Sequence, residues 1–154
     1  MNTNKLINYM KKLILSFIFL GLIGFINPLQ AQLTDGHEAL KKQINTVVDK
    51  VKEAEQPDQK RILLDESLTD MITAIDRVSE RRSVSDTDKK GLAKFKEMLN
   101  ERKDELNGNN GFSKVPNSQL NQYANFVQQD IEQADALTIS LTTALLIIII
   151  LLLL

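Results

Sequence analysis

Between residues 33 and 135 apolar side chains recur at alternating intervals of four and three, the signature of helices that each bury one narrow stripe. A first predicted helix starts at Asp35, with Glu38 three residues on as a capping box, and carries Leu40, Ile44, Val47, Val51 and Ala54 on its face. Pro57 ends or kinks it. A second helix runs to about Arg82 on Leu64, Leu68, Met71, Ile75 and Val78, with Arg77, Arg81 and Arg82 in its last turns, where cations suit the helix dipole. A third takes Ser85 as its cap and Asp88 at the third position, then Leu92, Phe95, Leu99 and Leu106. Arg102 falls on that same stripe, so it lies at the stripe's edge or reaches past it to water. Asn107-Gly108 is a left-handed stop. A fourth helix begins near Asn117 or Ser118, after Pro116, and uses Leu120, Tyr123, Val127, Ile131 and Ala134. No period-two alternation and no repeat beyond the heptads is present.

Two further apolar runs lie outside this pattern. Residues 13–26 hold eleven apolar side chains in fourteen positions, preceded by Lys5, Lys11 and Lys12 and followed by Asn27-Pro28 and Leu29-Gln30-Ala31. A basic start, an apolar centre and a small residue before a cut at Gln32 describe a secretory signal peptide over 1–31. The competing reading is an uncleaved signal anchor, which the short apolar stretch disfavours. Residues 136–154 hold fifteen apolar side chains in nineteen positions and no charge. As one helix they would rise ~28 Å, close to the ~30 Å of a bilayer's hydrocarbon core. Only Ser140 and the threonines at 138, 142 and 143 are polar, and no breaker precedes the run, so the fourth helix can continue into it.

The expected fold is therefore all-α: a small up-down helical bundle of three or four helices over 32–135, with a C-terminal single transmembrane helix over 136–154. In the three-helix version the fourth helix projects as a stalk. Acidic residues Asp130, Glu132 and Asp135 precede the run with no basic residue among them, which places the bundle on the periplasmic or extracellular side and the C-terminus toward the cytoplasm. Coiled-coil-like seams in an exported chain fit a protein of the bacterial envelope.

Composition then removes most chemistry. The chain has no cysteine and one histidine, so disulfides, thiolate metal sites and cysteine nucleophiles are excluded. His37 has no partner at metal-ligand spacing, and the acids Asp65, Glu66, Asp70, Asp76, Glu101, Asp104 and Glu105 alternate with Lys and Arg as on a solvated face. No phosphate loop, nucleophile elbow or triad is present, so no enzyme, no cofactor, no metal and no small-molecule substrate are expected. A net charge of −1 gives no case for nucleic acid.

Two features remain as candidate contact sites. Residues 77–96 are net +4 inside a segment, 32–135, that is net −4. An up-down topology puts this corner at the membrane end, where Arg77, Arg81, Arg82, Lys89 and Lys90 are positioned to meet lipid headgroups. The connection 107–118, NGNNGFSKVPNS, lies at the opposite end and offers Phe112 and Val115 to a partner or as a lid on the bundle. The expected function is a non-enzymatic, membrane-anchored extracytoplasmic helical protein acting by protein–protein contact, as adaptor, spacer or scaffold, with self-association among the options and membrane lipid as the partner of the tail. The alternative is a small membrane-active or pore-forming secreted protein, although an Ile/Leu tail has no polar face to line a pore.

Overall fold

The computed structural model describes residues 36–154. The signal-like segment 1–31 and the cap position Asp35 lie outside the described residues. Those described are all-α, in five helices: α1 (Gly36–Glu53), α2 (Pro57–Ser79), α3 (Asp86–Asn107), α4 (Leu120–Thr138) and α5 (Leu141–Leu151), with a short 3₁₀ turn at Asn117–Gln119 leading into α4.

The local signals explain most boundaries. Pro57 sits in the first turn of α2, where its missing N–H costs nothing, so it separates two helices and does not kink one. Ser85 caps α3 by accepting from the Asp88 backbone N–H at 3.1 Å. Gly108 ends α3 at φ 74°, and a Cβ there would also meet Lys114 at 2.8 Å. The second helix stops at Ser79, earlier than expected. Arg81 and Arg82 therefore belong to the α2–α3 turn, which Val84 seals from within, and only Arg77 remains in the last helical turn.

Helices α1 to α4 alternate up and down around one aliphatic core. Lys96 binds Asp76 at 2.6 Å, Lys103 donates to Thr69 at 2.6 Å, and Asn107 donates to Asp65 at 2.6 Å, which sets α2 and α3 antiparallel. Asn45 on α1 meets Gln128 on α4, and Lys60 near the start of α2 donates to Asn121 near the start of α4 at 2.6 Å. Leu40, Val51, Leu68, Ile75, Leu92, Phe95, Leu99, Leu106, Leu120 and Ile131 fill the interior.

The tail departs from expectation. Residues 136–154 are not one membrane-spanning helix: α4 ends at Thr138, Ile139 is extended at φ −130° and ψ 148°, and Ser140 starts a new eleven-residue helix. No helix among the described residues is long and apolar enough to cross a membrane. Two forces account for the break. Ser140 is an N-cap, accepting from Thr143 N–H at 3.3 Å, so its hydroxyl serves the next helix and not the preceding turn. The reversed α5 then seats Ala144, Ile147, Ile148 and Ile150 against the bundle, in contact with α1 and α2. The same docking widens the face of α1: Val48 is buried in the core, while Val47 turns partly toward α5 and lies with Leu151 at one groove. The start of α1 is so close to α5 that a Cβ on Gly36 would lie 2.7 Å from the Leu141 carbonyl oxygen.

Candidate functional site

The α4–α5 turn is held by Asp88. Its carboxylate accepts from the Ser140 backbone N–H at 2.8 Å, from the Ser140 hydroxyl at 2.8 Å and from the Thr143 hydroxyl at 2.9 Å. A carboxylate at a helix N-terminus is favoured by the unpaired N–H groups and the dipole there. Partial burial raises the Asp88 pKa, but the hydrogen bonds from Ser140, Thr143 and Ser85 outweigh it and hold the group below its ordinary value. One residue thus joins the N-termini of α3 and α5.

That clamp brings the basic corner to the start of α5. Arg77, Arg81, Arg82 and Lys90 are exposed and Lys89 is half-buried. None of the five has a carboxylate within ion-pair distance among the described residues. From this corner the outer face of α5 runs down the side of the bundle. Leu141 and Ile149 are each 43% exposed, Leu152 is 72% and Leu153 is 77% exposed. With half-buried Leu145 they form an aliphatic stripe, bordered by exposed Thr142, on which the helical period places no charged side chain. Isolated exposed leucines need no explanation, but a contiguous stripe marks a contact surface.

At the other end, the connection 107–118 divides its two candidate residues. Val115 is buried and Phe112 is 43% exposed, so Val115 is the lid and Phe112 is the free group. The loop is tied down by Arg61, whose guanidinium donates to the Leu106 carbonyl, to the Val115 carbonyl at 2.6 Å and to Asn117 Oδ1 at 2.9 Å. Together with Gly108 and Asn109 N–H on Asp104 O, and Val115 N–H on Glu105 O, Arg61 satisfies the last carbonyls of α3. The periodic reading passed over Arg61 because an arginine one turn ahead of the apolar series reads as solvated.

Arg102 also has a partner set. Its Nε lies 2.8 Å from Asp130, its NH1 is 2.7 Å from Glu105, and its guanidinium stacks 4.8 Å above the Phe126 ring. Burial works against its charge, but Glu105 and then Asp130 raise its pKa above the ordinary value. Tyr123 donates to the Arg102 carbonyl at 2.5 Å, and burial, then the Glu105 carboxylate, push its hydroxyl pKa far up. The cluster is a polar seam between α3 and α4. His37 is half-buried in the first turn of α1, and no group of three metal-ligating side chains occurs among the described residues. No protein-family model, no curated protein and no solved structure matches the chain.

Proposed function

We infer that this chain is an exported, non-enzymatic helical bundle, held at a membrane through its C-terminal apolar segment and acting by contact with another protein as adaptor, spacer or envelope scaffold. The observation that carries the reading is the uncovered aliphatic stripe of α5 on an otherwise charged bundle. Two things support it. The interior is filled by aliphatic side chains and Phe95, and the buried polar side chains Arg61 and Thr143 among the described residues are committed to loop closure and helix capping. The basic start and apolar stretch at 13–26 are an export signal by composition. The apolar tail is then the part that meets lipid, and the exposed Phe112 end of the bundle is free for a protein partner.

The test is co-purification and in-situ crosslinking of the intact chain from membranes, beside a chain ending at Thr138. The intact chain is expected in the membrane fraction with a reproducible crosslinked partner, and the shortened one in the wash. Recovery of the intact chain in the wash, with no crosslink, refutes the reading. The same aliphatic stripe also suits a membrane-active protein that inserts its tail into a foreign bilayer. Release of a trapped dye from liposomes is expected only for that second reading.

A further inference from the structure

Building on the membrane reading above, we propose that α5 meets an anionic bilayer lying in its plane, through the outer stripe Leu141–Leu145–Ile149–Leu152 and the cationic corner at its N-terminal end, while its inner face stays in the bundle. The contact is peripheral and does not span.

The length of α5 argues first. Eleven residues rise ~16 Å, about half of the ~30 Å hydrocarbon core. Extending α5 back through Ile139 into one helix with α4 would break the three hydrogen bonds from Ser140 and Thr143 to Asp88. It also strips Ala144, Ile147, Ile148 and Ile150 from α1 and α2 and leaves their groove open to water. The stripe needs no such rearrangement, because it already faces outward.

Chemistry selects the occupant. A protein interface fixes its register with about one hydrogen bond per 100–200 Å², whereas this face offers aliphatic groups and the single hydroxyl of exposed Thr142. A second copy would need roughly 800 Å² per partner, more than one face of a three-turn helix provides. An acyl layer demands no directionality, and attraction to anionic headgroups adds to what a small apolar area contributes. Charge then selects among lipids. Arg81 and Arg82 in the α2–α3 turn and Lys90 in the first turns of α3 stand exposed and without ion-pair partners among the described residues, at the end of the bundle where the Asp88 carboxylate is consumed by Ser140 and Thr143. At the far end Glu66 and Asp70 oppose Lys50 around Leu151, so headgroup attraction is concentrated at the N-terminal end and insertion at the C-terminal end is by leucine alone. An aliphatic face bordered by cations is the pattern of helices that rest in the interface of anionic membranes.

The absence of cysteine in the sequence makes a local probe simple. The full chain carrying Ile149→Cys, labelled with an environment-sensitive dye, is mixed with phosphatidylcholine vesicles with and without phosphatidylglycerol. Quenchers are placed at shallow or deep positions of the acyl chains. In-plane docking predicts quenching by the shallow label only, in the anionic vesicles, with α5 amides still protected from hydrogen exchange. Arg81→Glu with Arg82→Glu is expected to weaken that signal about fivefold for each cation removed, before counting the added repulsion. Deep quenching with loss of α5 protection means insertion, which overturns the in-plane mode and leaves the membrane reading intact. Vesicle binding with no quenching at residue 149 places the contact elsewhere and overturns the proposal alone. No vesicle binding of any kind overturns both.

Discussion

Arg61 offers the sharpest test of how the bundle is closed. Its side chain is 9% exposed, with no carboxylate within ion-pair distance among the described residues, so the buried charge is balanced by three oxygens and by the negative end of α3. Truncation to alanine leaves the Leu106 and Val115 carbonyls without their donor, at about 1–3 kcal/mol for each buried group left unpaired. Removing a costly buried cation offsets part of this. The stem also fills space between α2 and the loop, and its loss adds to the deficit. A net loss of about 2–4 kcal/mol is expected for Arg61→Ala. That is a large share of the ~5–15 kcal/mol typical of a domain.

Urea unfolding followed by far-ultraviolet circular dichroism reads this directly. With a slope of about 2 kcal/mol per molar, the midpoint should fall by roughly 1–2 M while the slope is unchanged. Arg61→Met keeps the stem and removes only the polar links, so it should fall between alanine and the parent. Hydrogen exchange adds a local readout, because the Val115 amide donates to the Glu105 carbonyl within the loop that Arg61 ties down. Its protection should drop before that of Leu99 in the core. A loss below about 0.5 kcal/mol for Arg61→Ala, the range of an ordinary surface change, would refute the closure argument.

The other tests concern the tail. Ile147→Ala, on the buried face of α5, is expected to cost about 2–5 kcal/mol in urea unfolding without lipid, whereas Ile149→Ala on the outer face should stay within about 0.5 kcal/mol; equal effects would mean α5 is not docked as described. Asp88→Ala removes a helix-capping carboxylate worth about 1 kcal/mol, and exchange should rise in α5 before α1 to α4. Because the folded-state pKa of Asp88 is depressed, its contribution is fully present above the ordinary value of 3.8 and disappears as pH falls through the lower folded-state value. The acid limb of the stability profile should therefore be flatter in Asp88→Ala than in the parent, and an unchanged limb would count against the clamp. Gly36→Val places atoms against the Leu141 carbonyl and should loosen α5 selectively, at about 1–3 kcal/mol.

What was legible in the sequence follows from how local each cause is. The class and the up-down order follow from the apolar period and the short connections, and the boundaries at Pro57, Ser85 and Gly108 depend on residues within one turn, so the pattern shows them. The width of the buried face on α1 depends on what lies across from it: Val48 is buried in the core and Val47 is partly buried beside it because α5 covers one side. The α3–α4 ion pair of Arg102 with Asp130 and the loop anchor of Arg61 bridge residues far apart in the chain, and no spacing rule places a cation opposite a carbonyl 45 positions away. Phe112 and Val115, alike in the sequence, part ways for a related reason. The backbone of Val115 is needed to finish α3, so the smaller residue goes inward and the aromatic one is left outside.

The tail shows why hydropathy alone was ambiguous. A run of apolar residues reports that the segment avoids water, and lipid and a groove between two helices satisfy that preference about equally. What separates the two is the cost of the few polar atoms in the run. In lipid, the hydroxyls of Ser140 and Thr143 must bond back within their own helix. Against the bundle, both reach a carboxylate that is itself held at the cap of α3, and that arrangement requires a break at Ile139. The half of α5 that faces α1 and α2 is thereby satisfied, and the half facing away is not. A mostly aliphatic helix buried on one side only keeps one uncovered face, and it is on that face that the proposed lipid contact rests.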